Sequence, residues 1–231
     1  MTTQTLRLHK GHLFTRLSDG RLALVDTGAA QSMGDSGSVT LAGLTVPTTR
    51  RYLAATLKKL RQYVGVPFDV LLGQDVLLRL DAVYDLPNGA ATFSQNPDLA
   101  LEGATVNLRR NGVPTLTGWV RGRPELVGWD SGAQLSYFTP REDDQSVLPY
   151  AGKAEDFFPL VGRYTVDTYR VPVTLGESNV TMRVRAAVAP GVLRRMLGQW
   201  GVLMGSELVV GRQVGFFPLR GELTVGGPKD G

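Results

Sequence analysis

The sequence predicts a mainly β protein assembled from two similar halves, and three observations carry that prediction. First, 28 glycines and 13 prolines are spread among short apolar runs through 231 residues, the pattern of strands separated by turns and not of disorder. Second, an apolar run that breaks off on an acid occurs twice, as Leu22-Ala23-Leu24-Val25-Asp26-Thr27-Gly28-Ala29 and as Leu126-Val127-Gly128-Trp129-Asp130-Ser131-Gly132-Ala133. Third, Val70-Leu71-Leu72-Gly73 returns as Val202-Leu203-Met204-Gly205. At a constant shift of 132, residues 68–93 align without gaps to 200–225, with identities at Val70/Val202, Leu71/Leu203, Gly73/Gly205, Gly89/Gly221 and Thr92/Thr224. A repeat that keeps its order of elements marks two copies of one unit. The first unit is placed at residues 1–94, a polar linker containing Asn96-Pro97 at 95–103, and the second unit at 104–231.

Taken in order, residues 5–17 alternate loosely through Leu6, Leu8, Leu13 and Leu17, Ser18-Asp19-Gly20 is a turn signal, and residues 21–25 return as a strand. The first acid motif therefore ends a hairpin. Residues 31–38 are polar and glycine-rich, a loop, and 39–46 read as a short hairpin around Gly43. Over residues 51–64 the period changes: Tyr52, Leu53, Leu57, Leu60 and Val64 recur at helical spacing, and Gly65 and Pro67 stop the helix. The run 70–78 follows, then a hairpin over 82–93 with Pro87-Asn88-Gly89 at its tip. The second half repeats this order: 105–108, a turn at Asn111-Gly112, 116–120, a turn near Gly122, the strand 126–129 ending on Asp130, a helix over 192–200, and the run 202–210.

Composition excludes several function classes. With 25 basic and 21 acidic residues the formal charge is only +4, and the basic residues are scattered, so no nucleic-acid partner is expected. No window approaches the roughly 18 apolar residues of a membrane span, and the first ten residues carry no apolar core like that of a signal peptide. There is no cysteine, hence no disulfide, which fits a reducing compartment and a cytoplasmic location. Two histidines and no spaced ligand set lead to the expectation of no metal and no cofactor.

An Asp at the end of an apolar strand is costly to bury unless something satisfies or uses it. The paired Asp-Thr/Ser-Gly-Ala motifs, each followed by an apolar run closing on glycine, resemble the signature of the aspartic protease superfamily, that of the pepsins and the retroviral proteases. The resemblance covers residues 5–225. It implies an all-β, two-lobed acid-protease barrel fold with a short helix before the apolar-Gly run of each lobe, and an endopeptidase activity. Asp26 and Asp130 would form the dyad, two carboxylates sharing one proton and so supplying both the base for water and the acid for the carbonyl oxygen. Thr27 and Ser131 would hydrogen-bond across the lobe junction, and Gly28 and Gly132 would let backbone N–H groups reach the carboxylates. Gly73 and Gly205 would pack beside the acid loop of their own lobes. Ala29 and Ala133 match the retroviral enzymes; pepsins usually carry a hydroxyl residue there. Losing that hydrogen bond to the carboxylate implies an optimum at mildly acidic to neutral pH. The implied partner is an extended peptide or protein substrate, and because one chain supplies both acids a monomer suffices.

The departures matter as much. The interval from acid to glycine is 73 − 26 = 47 residues in the first half and 205 − 130 = 75 in the second. A flap hairpin belongs in this interval, and only the second half has room for a full one, over 157–174 and 180–188 with a turn at 176–179. Either Tyr164 or Tyr169 would be the flap tyrosine, if neither is ordinary strand packing. Ala30 and Gln134 stand where retroviral enzymes carry a substrate-binding Asp, so that contact does not carry over. Gly34-Asp35-Ser36-Gly37-Ser38 resembles the nucleophile motif of trypsin-like proteases, but only His9 and His12 precede it, without an Asp partner, and it reads as a turn. Asp143-Asp144 reads as a solvated loop. The rival reading is a protein of the same fold that binds a peptide or partner without cutting it.

Overall fold

Each acid motif closes a strand that has an antiparallel neighbour on one side and a parallel one on the other. In the first half Leu22–Val25 lies antiparallel to His12–Arg16 and parallel to Val70–Leu72. In the second, Arg123–Trp129 lies antiparallel to Thr115–Val120 and parallel to Val202–Met204. A parallel pair requires a long crossover, which the segment between acid and apolar-Gly run provides. Central strands covered on both faces read as unbroken apolar runs, and Val25, Val70, Leu72, Val127, Val202 and Met204 are all fully buried. A short strand, Met33–Gly34 or Ser136–Phe138, pairs antiparallel on the far side of each apolar-Gly run.

The computed structural model describes residues 1–52, 55–110, 112–142, 147–176 and 180–227. It is mainly β, with most strands joined in one large mixed sheet. The first strand, Thr2–His9, pairs with Ala90–Ser94, and its counterpart Ala104–Arg109 pairs with Glu222–Val225. The halves meet where Asp81–Asp85 runs antiparallel to Gln213–Phe217. There Ala82 faces Phe216 and Tyr84 faces Val214. Adding the sequence shift of 132 to Ala82 and Tyr84 gives Val214 and Phe216, so the two pairs exchange under the repeat, as a two-fold axis between Val83 and Gly215 requires. The core is continuous across this junction: Trp129 packs edge-on against Tyr84 at 5.8 Å and Phe216 at 5.3 Å.

Two expectations need correction. The segment 51–64 is not one helix. Arg51–Tyr52 and Ala55–Thr56 pair as a small hairpin, and only Leu57–Val64 is helical (α1), capped by the Thr56 hydroxyl, which accepts from Lys59 N–H, and closed by Gly65 in the left-handed region. A second helix, α2, covers Gln74–Leu77, and a third, α3, covers Gly191–Leu197, overlapping the expected helix at 192–200 but starting one residue earlier and ending three sooner. The other correction concerns the long insertion of the second half. Its strands are Tyr150–Phe158, Gly162–Leu175 and Val180–Val188, so the expected strand 157–174 is cut in two. Pro159 offers no N–H to a ladder and Gly162 has φ 90°, and between them the chain reverses. Leu53, Asn111, Asp143-Asp144 and the expected turn residues 177–179 lie outside the described residues. Among the described residues no helix is long and apolar enough to cross a membrane.

Candidate active site

The two acid loops meet back to back. Thr27 N–H donates to Ser131 Oγ at 3.0 Å, and Ser131 N–H donates to Thr27 Oγ1 at 2.9 Å. Each hydroxyl in turn donates to the carbonyl preceding the opposite acid, Thr27 to Trp129 O and Ser131 to Val25 O, both at 2.9 Å. All four bonds are buried, so no water competes for the donors, and breaking one leaves a partner unsatisfied. The threonine–serine pair thus locks the relative position of the two acids.

The structure brings Asp26 and Asp130 together: each carboxylate lies against the opposite loop's glycine, and both line one cleft. Asp26 Oδ1 accepts from the N–H groups of Gly28 and Ala29, each at 3.0 Å, and Asp130 Oδ1 accepts from Gly132 N–H at 3.0 Å. A Cβ on Gly28 would run into the Asp130 carboxylate, and one on Gly132 into that of Asp26, so the glycines are required by the opposite acid as well as by their own loop. Gly73 and Gly205 back the loops in the same way: added Cβ atoms would stand 2.9 Å from Ala29 O and 2.6 Å from Ala133 O. The following residues tie the loops down, with Gln74 N–H donating to Ala29 O at 2.8 Å and Ser206 N–H to Ala133 O at 2.9 Å. Ser32 and Ser136, six residues beyond each acid, accept from the N–H groups of Gly73 and Gly205 at 3.0 and 3.1 Å.

The electrostatics follow from this geometry. Each acid keeps a face to the cleft while protein crowds the rest. This desolvation raises both carboxyl pKa values, Asp26 well above the ordinary range, with the neighbouring Asp130 charge adding to it. On Asp130, bonds from Gly132 N–H, the Asp26 carboxyl, Ala133 N–H and Gly28 N–H oppose the rise. Two adjoining carboxyls with raised pKa values share one proton as a unit.

Compared with models of known protein families and with curated proteins, the chain matches none.

The cleft above the acids has a volume of about 140 Å³. Its roof is the hairpin formed by Tyr150–Phe158 and Gly162–Leu175, whose Phe157, Phe158, Pro159 and Tyr164 line it. Of the two flap tyrosines named from sequence, only Tyr164 is there. Tyr169 lies five residues on, an odd step that puts it on the opposite face of an extended strand, and it packs edge-on against Phe138 and Tyr150. The hairpin is fastened to the first half: Phe157 stacks on Tyr63 of α1 at 4.9 Å, and Arg163 Nη2 donates to the carbonyls of Gln62 and Tyr63 at 2.9 and 2.8 Å. These are last-turn carbonyls of α1, where a cation complements the helix dipole.

Tyr52, His12 and Asp156 are among the lining residues that were not read from sequence. Tyr52, on the small hairpin of the first half, donates to Gly28 O at 3.3 Å; burial and the charges of Asp26 and Asp130 push its hydroxyl up to about 12. Its position on a helical period concealed it. His12 is 2 % exposed, its Nδ1 hydrogen-bonded to Gly132 O at 2.7 Å, while burial lowers its pKa to about 4. It is thus neutral, with the proton on Nδ1. Its neighbour Gly11 accepts from Ser206 Oγ at 2.6 Å, so the tip of the first hairpin braces the second acid loop. Asp156, on the roof hairpin, accepts from Gln134 Nε2 at 2.9 Å, Phe157 N–H at 2.7 Å and the Tyr137 hydroxyl. Ser36, by contrast, bonds Arg21 on the surface and does not line the cleft.

Proposed function

We propose that the protein is an aspartic endopeptidase with the two-lobed acid-protease fold, and that the adjoining pair of Asp26 and Asp130 is its dyad. The observation that carries the reading is this pair itself: two carboxyls held together on matching loops, at the floor of a cleft, by a reciprocal threonine–serine lock. Keeping two acids in contact is unfavourable, and the surroundings are arranged to enforce it. In the proposed reaction Asp130, ionised, takes a proton from a water molecule whose oxygen bonds to the scissile carbonyl carbon. Asp26 gives its proton to the carbonyl oxygen. The resulting gem-diol collapses as the proton now on Asp130 passes to the amide nitrogen, the C–N bond breaks, and a diol hydroxyl returns its proton to Asp26. The backbone N–H groups of Gly28, Ala29 and Gly132 are fixed beforehand and need no reorganisation during the reaction.

The substrate in this reading is an extended peptide or protein segment lying across both halves under the roof hairpin, bound in part by main-chain hydrogen bonds as an added strand. One chain carries the complete site, so activity is expected of the monomer. The alternative, a peptide binder that does not cut, is separated from this reading by a peptide analogue bearing a hydroxyl at a tetrahedral carbon in place of the scissile carbonyl. An enzyme binds it at least about a hundredfold more tightly than the parent peptide; equal affinities would favour the binder.

A further inference from the structure

One carboxylate in the cleft has no part in the chemistry above. Asp156 is 5 % exposed and lines the cleft beside the second acid loop. Its three hydrogen-bond donors, the Gln134 amide, the Phe157 N–H and the Tyr137 hydroxyl, are all neutral. Tyr164 extends the network, its hydroxyl 2.8 Å from that of Tyr137. A charge taken out of water is ordinarily paired with an opposite charge. Yet among the described residues that line the cleft there is no lysine or arginine.

A second, independent feature points the same way. His12 Nδ1 faces a carbonyl oxygen, which only accepts, so Nδ1 carries the proton and Nε2 is a bare acceptor. Nε2 is buried and has no partner. His12 and Asp156 border the same spot: the His12 and Phe157 rings are 5.9 Å apart, and Gln134, which bonds Asp156, packs against Gly11. The unused capacity of this corner of the cleft is all acceptor, one of it anionic. A group that carries several N–H donors, a positive charge and no acceptor completes it. Among peptide side chains that describes lysine and arginine.

We infer that this corner, formed by Asp156, His12, Tyr164 and Gln134, is a subsite for the basic side chain of a substrate residue close to the scissile bond. The inference rests on the peptidase reading for the words substrate and scissile bond, but the subsite itself is a binding claim. The apolar rest of the cleft, with Leu24, Leu71 and Leu203 among its walls, takes the neighbouring side chains.

The test uses matched peptides that differ only in carrying lysine or norleucine at positions around the cleavage point; norleucine keeps the stem and removes the charge. For the wild type, kcat/KM for the lysine peptide should exceed that for its norleucine twin by roughly tenfold or more, and Asp156→Asn should bring the ratio close to one. A wild-type ratio near one, or a ratio that survives in Asp156→Asn, overturns the subsite. If Asp156→Asn does not fold, the wild type still decides by pH. Burial raises the Asp156 carboxyl to about 6, against the bonds from Tyr137, Phe157 and Gln134 and with help from the Asp130 charge. Facing it are Tyr137 and Tyr164, both with raised pKa values, and the dyad. The ratio should therefore fall as pH drops through about 6, and a ratio constant from pH 4.5 to 7.5 overturns the proposal. If neither peptide is cleaved, the peptidase reading fails and the subsite is judged by calorimetry alone. Tighter binding of the lysine peptide supports it, and equal binding removes it.

Discussion

Burial raises the pKa values of the pair, and no side-chain hydroxyl at Ala29 or Ala133 opposes the rise. Ala29 offers Asp26 a backbone N–H at 3.0 Å and no hydroxyl. A hydroxyl there would bond the charged form preferentially and lower the apparent pKa values, which belong to the pair and not to one residue. Ala29→Ser and Ala133→Thr should therefore move the acid limb of the kcat/KM profile to lower pH, and a limb unmoved in both contradicts the electrostatic account. The same raised pKa values fix a sign for stability. The folded protein holds protons that the unfolded chain releases near the ordinary carboxylate range, so stability declines as pH rises above that range. In Asp26→Asn the amide oxygen keeps the bonds from Gly28 and Ala29, and the amide N–H replaces the shared proton toward Asp130. That variant should gain on the wild type in Tm between pH 4 and pH 7, by roughly 2–4 °C for each kcal/mol relieved. At this scale the acids, the threonine–serine lock and the loop glycines were legible, because the motif demands those residue types. Tyr52, His12 and Asp156 were not. Each enters the cleft through strand register and the closure of one half on the other, which no local spacing reveals.

The roof hairpin is the element that covers the cleft. A cleft of about 140 Å³ is smaller than the roughly 300–1,000 Å³ typical of ligand pockets, so the proposed peptide substrate would require the hairpin to lift from α1. It is fastened to the first half by the exposed Arg163 with two carbonyls and by Phe157, which stacks on Tyr63 and meets the His12 ring. Exposed charged contacts at a helix end contribute about 0.3–1 kcal/mol. Arg163→Ala should therefore leave Tm nearly unchanged while speeding amide exchange over residues 157–165; unchanged exchange there would show that the contact is not a fastening. The presence of an insertion was legible from the unequal intervals of 47 and 75 residues, 73 − 26 and 205 − 130. Its shape was not, because strand-forming residues continue through the turn at 159–161 and only Pro159 and Gly162 mark the reversal. The small hairpin before α1 was hidden for a related reason: Tyr52 fits the helical period, yet Thr56 caps the helix and starts it later.

Across the whole molecule, the strand pairing of Ala82 with Phe216 and Tyr84 with Val214 joins the halves in one sheet. The repeat at a shift of 132 was legible in the sequence; the fact that its axis passes between Val83 and Gly215 was not, since pairing partners are a tertiary property. Phe216 is fully buried against Trp129 at the junction. Phe216→Ala should cost about 3–5 kcal/mol and should lower the single denaturation midpoint of both halves together. Two separate transitions, with the first half unaffected, would show that the junction does not couple them.

The central claim, that Asp26 and Asp130 work as one catalytic unit, is tested most directly by the cleavage of an unfolded protein by the wild type, Asp26→Asn and Asp130→Asn, with folding of each verified by its Tm. The account predicts turnover by the wild type, and in each variant alone a loss of roughly 10²–10⁴-fold, the scale of positioned acid–base catalysis, with the fold retained. Wild-type turnover in either variant would contradict it.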